Sequence, residues 1–258
     1  MTRSALITGS VRGLGLAIAH ALARTGCNVT LNGFDPDGEI ATLVAAIETE
    51  FGVRARYCDA DLRDPQHIIQ MIAEAESAFG TVDIVVNNAV VRHVAPCEAF
   101  PVDAWDESIA VNLSAAFHTT RAALPGMKAR GWGRIINVSS IYGLRGGVNR
   151  VGYVTTKTAL IGLTRAVALE TVKDGITCNA LCPGTTETPI HEDAIRAAMA
   201  AKVLSRDDAE REFFASKQPT GRFIAADGVA SLAAFLCSDD ARDITGAILP
   251  VDGAWSAG

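Results

Sequence analysis

Ala5-Leu6-Ile7-Thr8-Gly9-Ser10-Val11-Arg12-Gly13-Leu14-Gly15 joins an apolar run to a glycine-rich turn and the start of a helical pattern that continues to Arg24. Glycine allows a tight turn and close backbone approach to a pyrophosphate, and the N-terminus of the following helix presents N–H groups to that anion. The spacing is G-x-x-x-G-x-G, not the commoner G-x-G-x-x-G, and a glycine triplet alone also serves a plain strand-to-helix turn. At the start of a chain built from βαβ units, dinucleotide binding is the favoured reading.

The rest of the chain supplies those units. Short apolar runs from Ala5 to Thr8, Val29 to Asn32, Val53 to Cys58, Ile84 to Asn87, Ile135 to Val138, Ile176 to Leu181 and Ala247 to Val251 alternate with helical stretches. The helical stretches include Leu14 to Arg24, Gly38 to Glu50, Pro65 to Phe79, Val102 to Arg130 and Tyr153 to Val172. This rhythm predicts an α/β fold: a doubly wound Rossmann sheet of seven parallel strands with helices on both faces, in one domain over residues 1–258. Charged, helix-prone sequence between Pro189 and Phe223 interrupts the rhythm. Placed after Pro183-Gly184, the segment 190–222 is expected to be a substrate lid, the plain alternative being an exposed helical hairpin.

With 49% hydrophobic and 20% charged residues among 258, the chain has material for a sizeable core and no case for disorder. A net charge of −6, with Lys and Arg interspersed among Asp and Glu, argues against a nucleic-acid surface. The six cysteines lack the paired short spacings of a zinc site, so no metal is expected and the thiols are read as reduced and mostly buried. No stretch approaches the roughly 18 apolar residues of a membrane span, and no apolar leader precedes the first strand. The expectation is a cytoplasmic, soluble protein with a small-molecule ligand.

Chemistry concentrates between Ser139 and Lys157. Tyr153 and Lys157 are four residues apart, hence on one face if Tyr153 opens a helix, and Ser140 lies upstream. A cation beside a phenol favours the phenolate and moves its pKa from about 10 toward the range where proton transfer is effective. Taken singly, Tyr153 also reads as an interface aromatic, Ser140 as a helix cap and Asn112 as a satisfied core amide. Together they form the constellation that a proton transfer needs.

With this group, the glycine turn, Asn87-Asn88-Ala89 and Pro183-Gly184 in that order, the chain resembles the short-chain dehydrogenase/reductase family over essentially its whole length. Within it, Leu31-Asn32-Gly33-Phe34, Gly133-Arg134-Ile135-Ile136-Asn137, Lys217-Gln218-Pro219 and Val251-Asp252-Gly253-Ala254-Trp255 are similar to bacterial 3-hydroxybutyrate dehydrogenases. The resemblance implies hydride transfer between a nicotinamide and a carbinol carbon. Tyr153 would be the acid–base group, Lys157 its cation and a ribose ligand, Ser140 the partner of the substrate oxygen, and Asn112 the support of a water linking Lys157 to solvent. Gly9, Arg12, Gly13, Leu14, Gly15, Phe34, Asp61, Leu62, Asn88, Ala89, Pro183, Gly184 and Thr188 would hold the cofactor together with Tyr153 and Lys157, with Ile190 beside Thr188.

Cofactor choice rests on conflicting signals. Asp35 and Asp37 would repel a 2′-phosphate and Arg12 would attract one, so NAD is favoured and NADP stays open. For the substrate, hydroxybutyrate dehydrogenases carry Gln, His, Lys and Gln where this chain has Arg92, Tyr142, Arg150 and Ala194, and Val90 replaces a glycine. Two arginines suit an anion, which points to a hydroxy acid such as 3-hydroxybutyrate or a larger acidic relative bound by Arg92, Ser140, Tyr142, Arg150 and Tyr153. Arg92 and Arg150 read almost as well as solvated surface residues. A 3-oxoacyl thioester reductase using NADPH and a non-catalytic dinucleotide sensor are the other readings. Small residues Ala159, Gly162 and Ala166 on the helix after Tyr153, with the resemblance, point to a homotetramer.

Overall fold

The computed structural model describes residues 2–34, 38–187, 189–215 and 217–257. In chain order its elements are β1 (Ser4–Ile7), α1 (Gly13–Arg24), β2 (Asn28–Asn32), α2 (Ile40–Phe51), β3 (Ala55–Cys58), α3 (Pro65–Phe79), β4 (Ile84–Asn87) and α4 (Val102–Ile109). They continue with α5 (Ala115–Arg130), β5 (Gly133–Val138), α6 (Val151–Thr171), β6 (Ile176–Pro183), α7 (Pro189–Lys202), α8 (Arg206–Phe214), α9 (Ala226–Leu236) and β7 (Ile248–Val251). The strands form one parallel sheet in the order β3-β2-β1-β4-β5-β6-β7. Strand order reverses between β1 and β4, which opens a crevice beyond the C-terminal ends of the strands.

Helices cover both faces of the sheet, so the central strands read as continuous apolar runs instead of alternating ones. Ile7, Leu31, Val86 and Ile136 pack with Ile18 and Leu22 of α1, Ile47 of α2 and Val229 and Leu236 of α9. On the other face Leu6, Val85, Ile135 and Cys178 meet Ile68 and Met71 of α3, Ala123 and Met127 of α5, and Val167 of α6. Helix α3 shows local sequence fixing an element: Asp64 accepts from the Gln66 N–H at 2.8 Å, Pro65 takes the first helical position, and Gly80 ends the helix with φ +83°.

A polar thread crosses the apolar core. Thr119 donates to Asn87 Oδ1 at 2.6 Å, Asn87 Nδ2 to Asn137 Oδ1 at 2.8 Å, and Asn137 Nδ2 to the Thr164 hydroxyl at 2.9 Å, tying α5, β4, β5 and α6 together. Each group in the thread is satisfied, so it fixes the register of α6 against the sheet at little desolvation cost.

Two features depart from the sequence pattern. The helix expected from Val102 to Arg130 is interrupted by a π-turn at Ala110–Ser114. The wider turn shifts the helical phase and carries Asn112 inward, to 2% exposure. There its side chain accepts from Val91 N–H at 2.8 Å and donates to Val91 O at 3.0 Å. Helix α9 was not among the stretches read from sequence, because its run Ala226-Asp227-Gly228-Val229-Ala230-Ser231 begins weakly helical.

Candidate functional site

A cleft of about 1000 Å³ runs along the C-terminal ends of the strands. Its wall contains Gly9, Arg12, Leu14, Gly15, Phe34, Asp61, Leu62, Asn88, Ala89, Arg92, Ser140, Tyr153, Lys157, Pro183 and Gly184, so the fold brings most of the residues singled out from sequence to one place. Gly13, Asn112, Tyr142 and Arg150 do not line it. Thr188, Asp35 and Asp37 lie outside the described residues, as do the side chains of Ile190 and Ala194.

At one end the β1–α1 turn is stapled to the end of β4. Asn88 Nδ2 donates to Thr8 O at 3.0 Å and Gly9 O at 2.9 Å, while the Thr8 hydroxyl accepts from the N–H groups of Asn88 and Ala89. Gly9 adopts φ +62°, and a Cβ there would stand 2.8 Å from Ala89 Cα. On Gly15 a Cβ would stand 2.3 Å from Gly9 O. Only glycine permits this closeness, and the result is a side-chain-free cradle with the first-turn N–H groups of α1 directed at it. That donor set fits a dinucleotide pyrophosphate. Farther along, Arg63 grips Asp61 through Nε at 3.0 Å and Nη2 at 2.6 Å, and this hydrogen bonding holds the carboxyl below its usual range.

At the other end stand Tyr153 and Lys157, 7% and 2% exposed, on the first turns of α6. Helix α6 is clamped to the end of β5: Lys157 Nζ donates to Val138 O at 2.7 Å and the Ser139 hydroxyl to Lys157 O at 2.7 Å. The Lys157 ammonium lies 5.8 Å from the centroid of the Tyr153 ring. Ser140 caps the short turn Ile141–Gly143 by accepting from Tyr142 N–H at 3.2 Å, and it is close enough to the Tyr153 phenol to favour its ionised form. The capping role of Ser140 leaves its chemical role open, since one hydroxyl can serve both.

Burial favours the neutral phenol, yet the charges of Lys157 and Arg92, with hydrogen bonds from Ser140 and Arg92, outweigh it and hold Tyr153 below the ordinary phenol value of 10.0. Burial also lowers the pKa of Lys157, against the attraction of the Tyr153 oxygen. A phenol with two cations at the mouth of a dinucleotide cleft can exchange a proton with a bound alcohol or ketone.

Arg92, which the sequence offers as a ligand for a substrate anion, has its guanidinium 5.5 Å from the Tyr153 ring centroid, where its charge acts on the phenol. Arg150 lies over Tyr142, 5.2 Å from its ring, and Tyr142 stands edge-on between Tyr153 and Trp255. Two residues assigned no role at the site from sequence join them. Lys217 sits 3.9 Å over the Phe213 ring within electrostatic reach of Arg150, and His191 bonds Thr186 O through Nδ1 at 2.9 Å within reach of Arg92, Lys217 and Arg150. Both come from the 190–222 segment, and only the fold brings them to the site.

Among the described residues, no cluster of His, Cys, Asp and Glu suited to a metal is present, and no helix is long and apolar enough to cross a membrane. The family described as short chain dehydrogenase matches residues 3–198. The chain is 45% identical over 256 residues to a D-beta-hydroxybutyrate dehydrogenase of Cupriavidus necator, covering 99% of this chain and 98% of that protein. It is 44% identical over 257 residues to the enzyme of the same name from Rhizobium meliloti, covering all of both. Among solved structures, L-sorbose reductase from Gluconobacter frateurii, complexed with NADPH and L-sorbose, superposes with a TM-score of 0.92 at 29% identity, over 98% of this chain and 96% of that one.

Proposed function

The chain belongs to the short-chain dehydrogenase family and is an NAD(P)-dependent oxidoreductase, and we propose that it interconverts a secondary alcohol and a ketone, its substrate a hydroxy acid such as 3-hydroxybutyrate or a larger acidic relative. The observation that carries this reading is the buried Tyr153 phenol, kept acidic by adjacent cations at the open end of the nucleotide cleft. The bound nicotinamide supplies the hydride acceptor at C4. In oxidation Tyr153 takes the hydroxyl proton as the hydride leaves the carbinol carbon, and in reduction it returns that proton to the carbonyl oxygen. Lys157 holds the phenolate charge and would bond the ribose of a bound nicotinamide, while Ser140 steadies the oxygen on which alkoxide charge develops.

Arg92 and Arg150, with Tyr142, offer the positive wall that a carboxylate needs, and Lys217 extends it. In this reading Gly9, Arg12, Leu14, Gly15, Phe34, Asp61, Leu62, Asn88, Ala89, Pro183 and Gly184 hold the cofactor, Gly13 shapes the turn, and Asn112 sets the loop after β4. We assign NAD: Asp59 and Asp61 line the adenosine end, and Arg63 is committed to Asp61. The single domain over 1–258, a cytoplasmic location and a lid over 190–222 belong to the same proposal. So does a homotetramer, supported by the exposed apolar side chains Phe117 on α5 and Leu169 on α6; sedimentation at four times the chain mass checks it.

Tyr153→Phe is the test. Turnover should fall by roughly three orders of magnitude, while affinity for the reduced cofactor stays within about twofold. Near-normal turnover in that variant would end the assignment. The exposed Arg12 on the cleft wall favours a second reading, an NADPH-dependent 3-oxoacyl thioester reductase. Higher kcat/KM with NADPH and acetoacetyl thioester than with NAD and 3-hydroxybutyrate would select it.

A further inference from the structure

Arg92 lies on the loop that leaves β4, and this loop is held at three points. Asn112 brackets Val91 with two hydrogen bonds of 2.8 and 3.0 Å. His93 Nε2 meets Glu107 Oε2 at 2.9 Å, and Ala95 N–H donates to Asn149 O at 3.1 Å. The guanidinium is therefore delivered to the cleft by a fixed backbone instead of hanging from a free one. It forms no ion pair with a carboxylate among the described residues, whereas Arg63 and Arg130 nearby in sequence order are both so paired. It stands against the ring of Tyr153, its guanidinium 5.5 Å from the centroid.

We propose that Arg92 is the second cation of the acid–base group, bringing its guanidinium to the Tyr153 ring from the loop after β4 and sharing with Lys157 the charge of the phenolate. This rests on the reading of Tyr153 as the proton-transfer residue. The two cations differ in kind. Lys157 is a buried point charge tied to Val138 O. Arg92 is exposed to solvent, carries its charge on a planar fork of donors, and has donors left over for a substrate carboxylate. One guanidinium thereby links the group that moves the proton to the group that recognises the acid. The phenolate is the base in alcohol oxidation, so oxidation reaches its plateau at a lower pH than Lys157 alone would allow.

The groups facing the phenol are Lys157 from α6, Arg92 from the loop after β4, and Ser140 and Tyr142 from the β5–α6 connection. Behind them stand Arg150 against Tyr142, Cys182 of β6 near Lys157, and His191 and Lys217 from the 190–222 segment. Both charges acting directly on the phenol are positive.

Three tyrosines, Tyr57, Tyr142 and Tyr153, are present, so tyrosinate absorbance titrated against the Tyr153→Phe variant isolates this phenol without any cofactor. Arg92→Gln should raise its midpoint by about one pH unit, the lower bound for losing a cation at contact distance. The pH profile of kcat for oxidation of 3-hydroxybutyrate by NAD should shift upward by the same amount, and Arg92→Lys should recover most of it. An unchanged tyrosinate midpoint and profile, with KM raised equally at every pH, would reduce Arg92 to a substrate ligand and overturn the proposal. If Tyr153→Phe itself turns over normally, the functional reading fails first, and the spectroscopic midpoint still decides the Arg92 contact.

Discussion

A methyl group on Gly15 has nowhere to go, because the Gly9 carbonyl and the Asn88 amide, 2.3 and 2.5 Å from where it would stand, are bonded to each other. Gly15→Ala should therefore push the turn off β4, costing about 1–3 kcal/mol of stability, with nicotinamide affinity falling at least tenfold by fluorescence titration. Gly228→Ala, on an exposed turn of α9 with open space around it, is the control and should stabilise by about 0.5–1 kcal/mol in a thermal melt. The same residue scale separates what sequence could show. Tyr153 and Lys157 share one helix face, so their spacing announced their contact. Arg92 and Tyr153 meet through tertiary structure, and no local pattern encodes that contact.

The α7–α8 pair is an element held by rings. Phe213, Phe214 and Phe223 meet at centroid distances of 4.9 to 6.2 Å, and His191 stacks against Phe223 at 6.2 Å. Burial, with the nearby charges of Arg92, Lys217 and Arg150, holds the His191 pKa below 6.5 against its bond to Thr186 O. The unfolded segment thus takes up a proton more readily than the folded one, so stability is full above pH 6.5 and is lost as pH falls toward the depressed folded value. Hydrogen-exchange protection of residues 189–215 should drop between pH 7.5 and 5.5, and His191→Gln should remove the dependence; equal protection at both pH values would refute it. The segment's helical character was legible from charge and propensity, and it folds as Pro189–Lys202 and Arg206–Phe214. Its aromatic anchor was not, since Phe223 lies outside either helix. The π-turn was equally hidden, because an inserted residue leaves the apolar periodicity of Val102 to Arg130 nearly intact on each side.

For the whole molecule, the seven-stranded parallel sheet followed from alternating runs, because parallel strands buried on both faces leave a dense apolar signal, whereas the strand order did not. Charge distribution did not follow from totals. A chain of net charge −6 places Arg92 and Lys157 at one end of its cleft, with Arg150 and Lys217 behind them. An anionic substrate is drawn to that local field rather than repelled by the overall charge, and salt screens the attraction. KM for a hydroxy acid should rise by about threefold between low and physiological ionic strength, while KM for a neutral secondary alcohol stays flat; parallel behaviour of the two would argue against the cationic wall. The stapled β1–α1 turn has one more consequence. Its shape is settled when the chain folds, so a nucleotide meets a finished mould and no segment there must organise during the encounter. Arrival should then be quick and nearly indifferent to the identity of the nucleotide, and discrimination between NAD and NADP should be written in residence time.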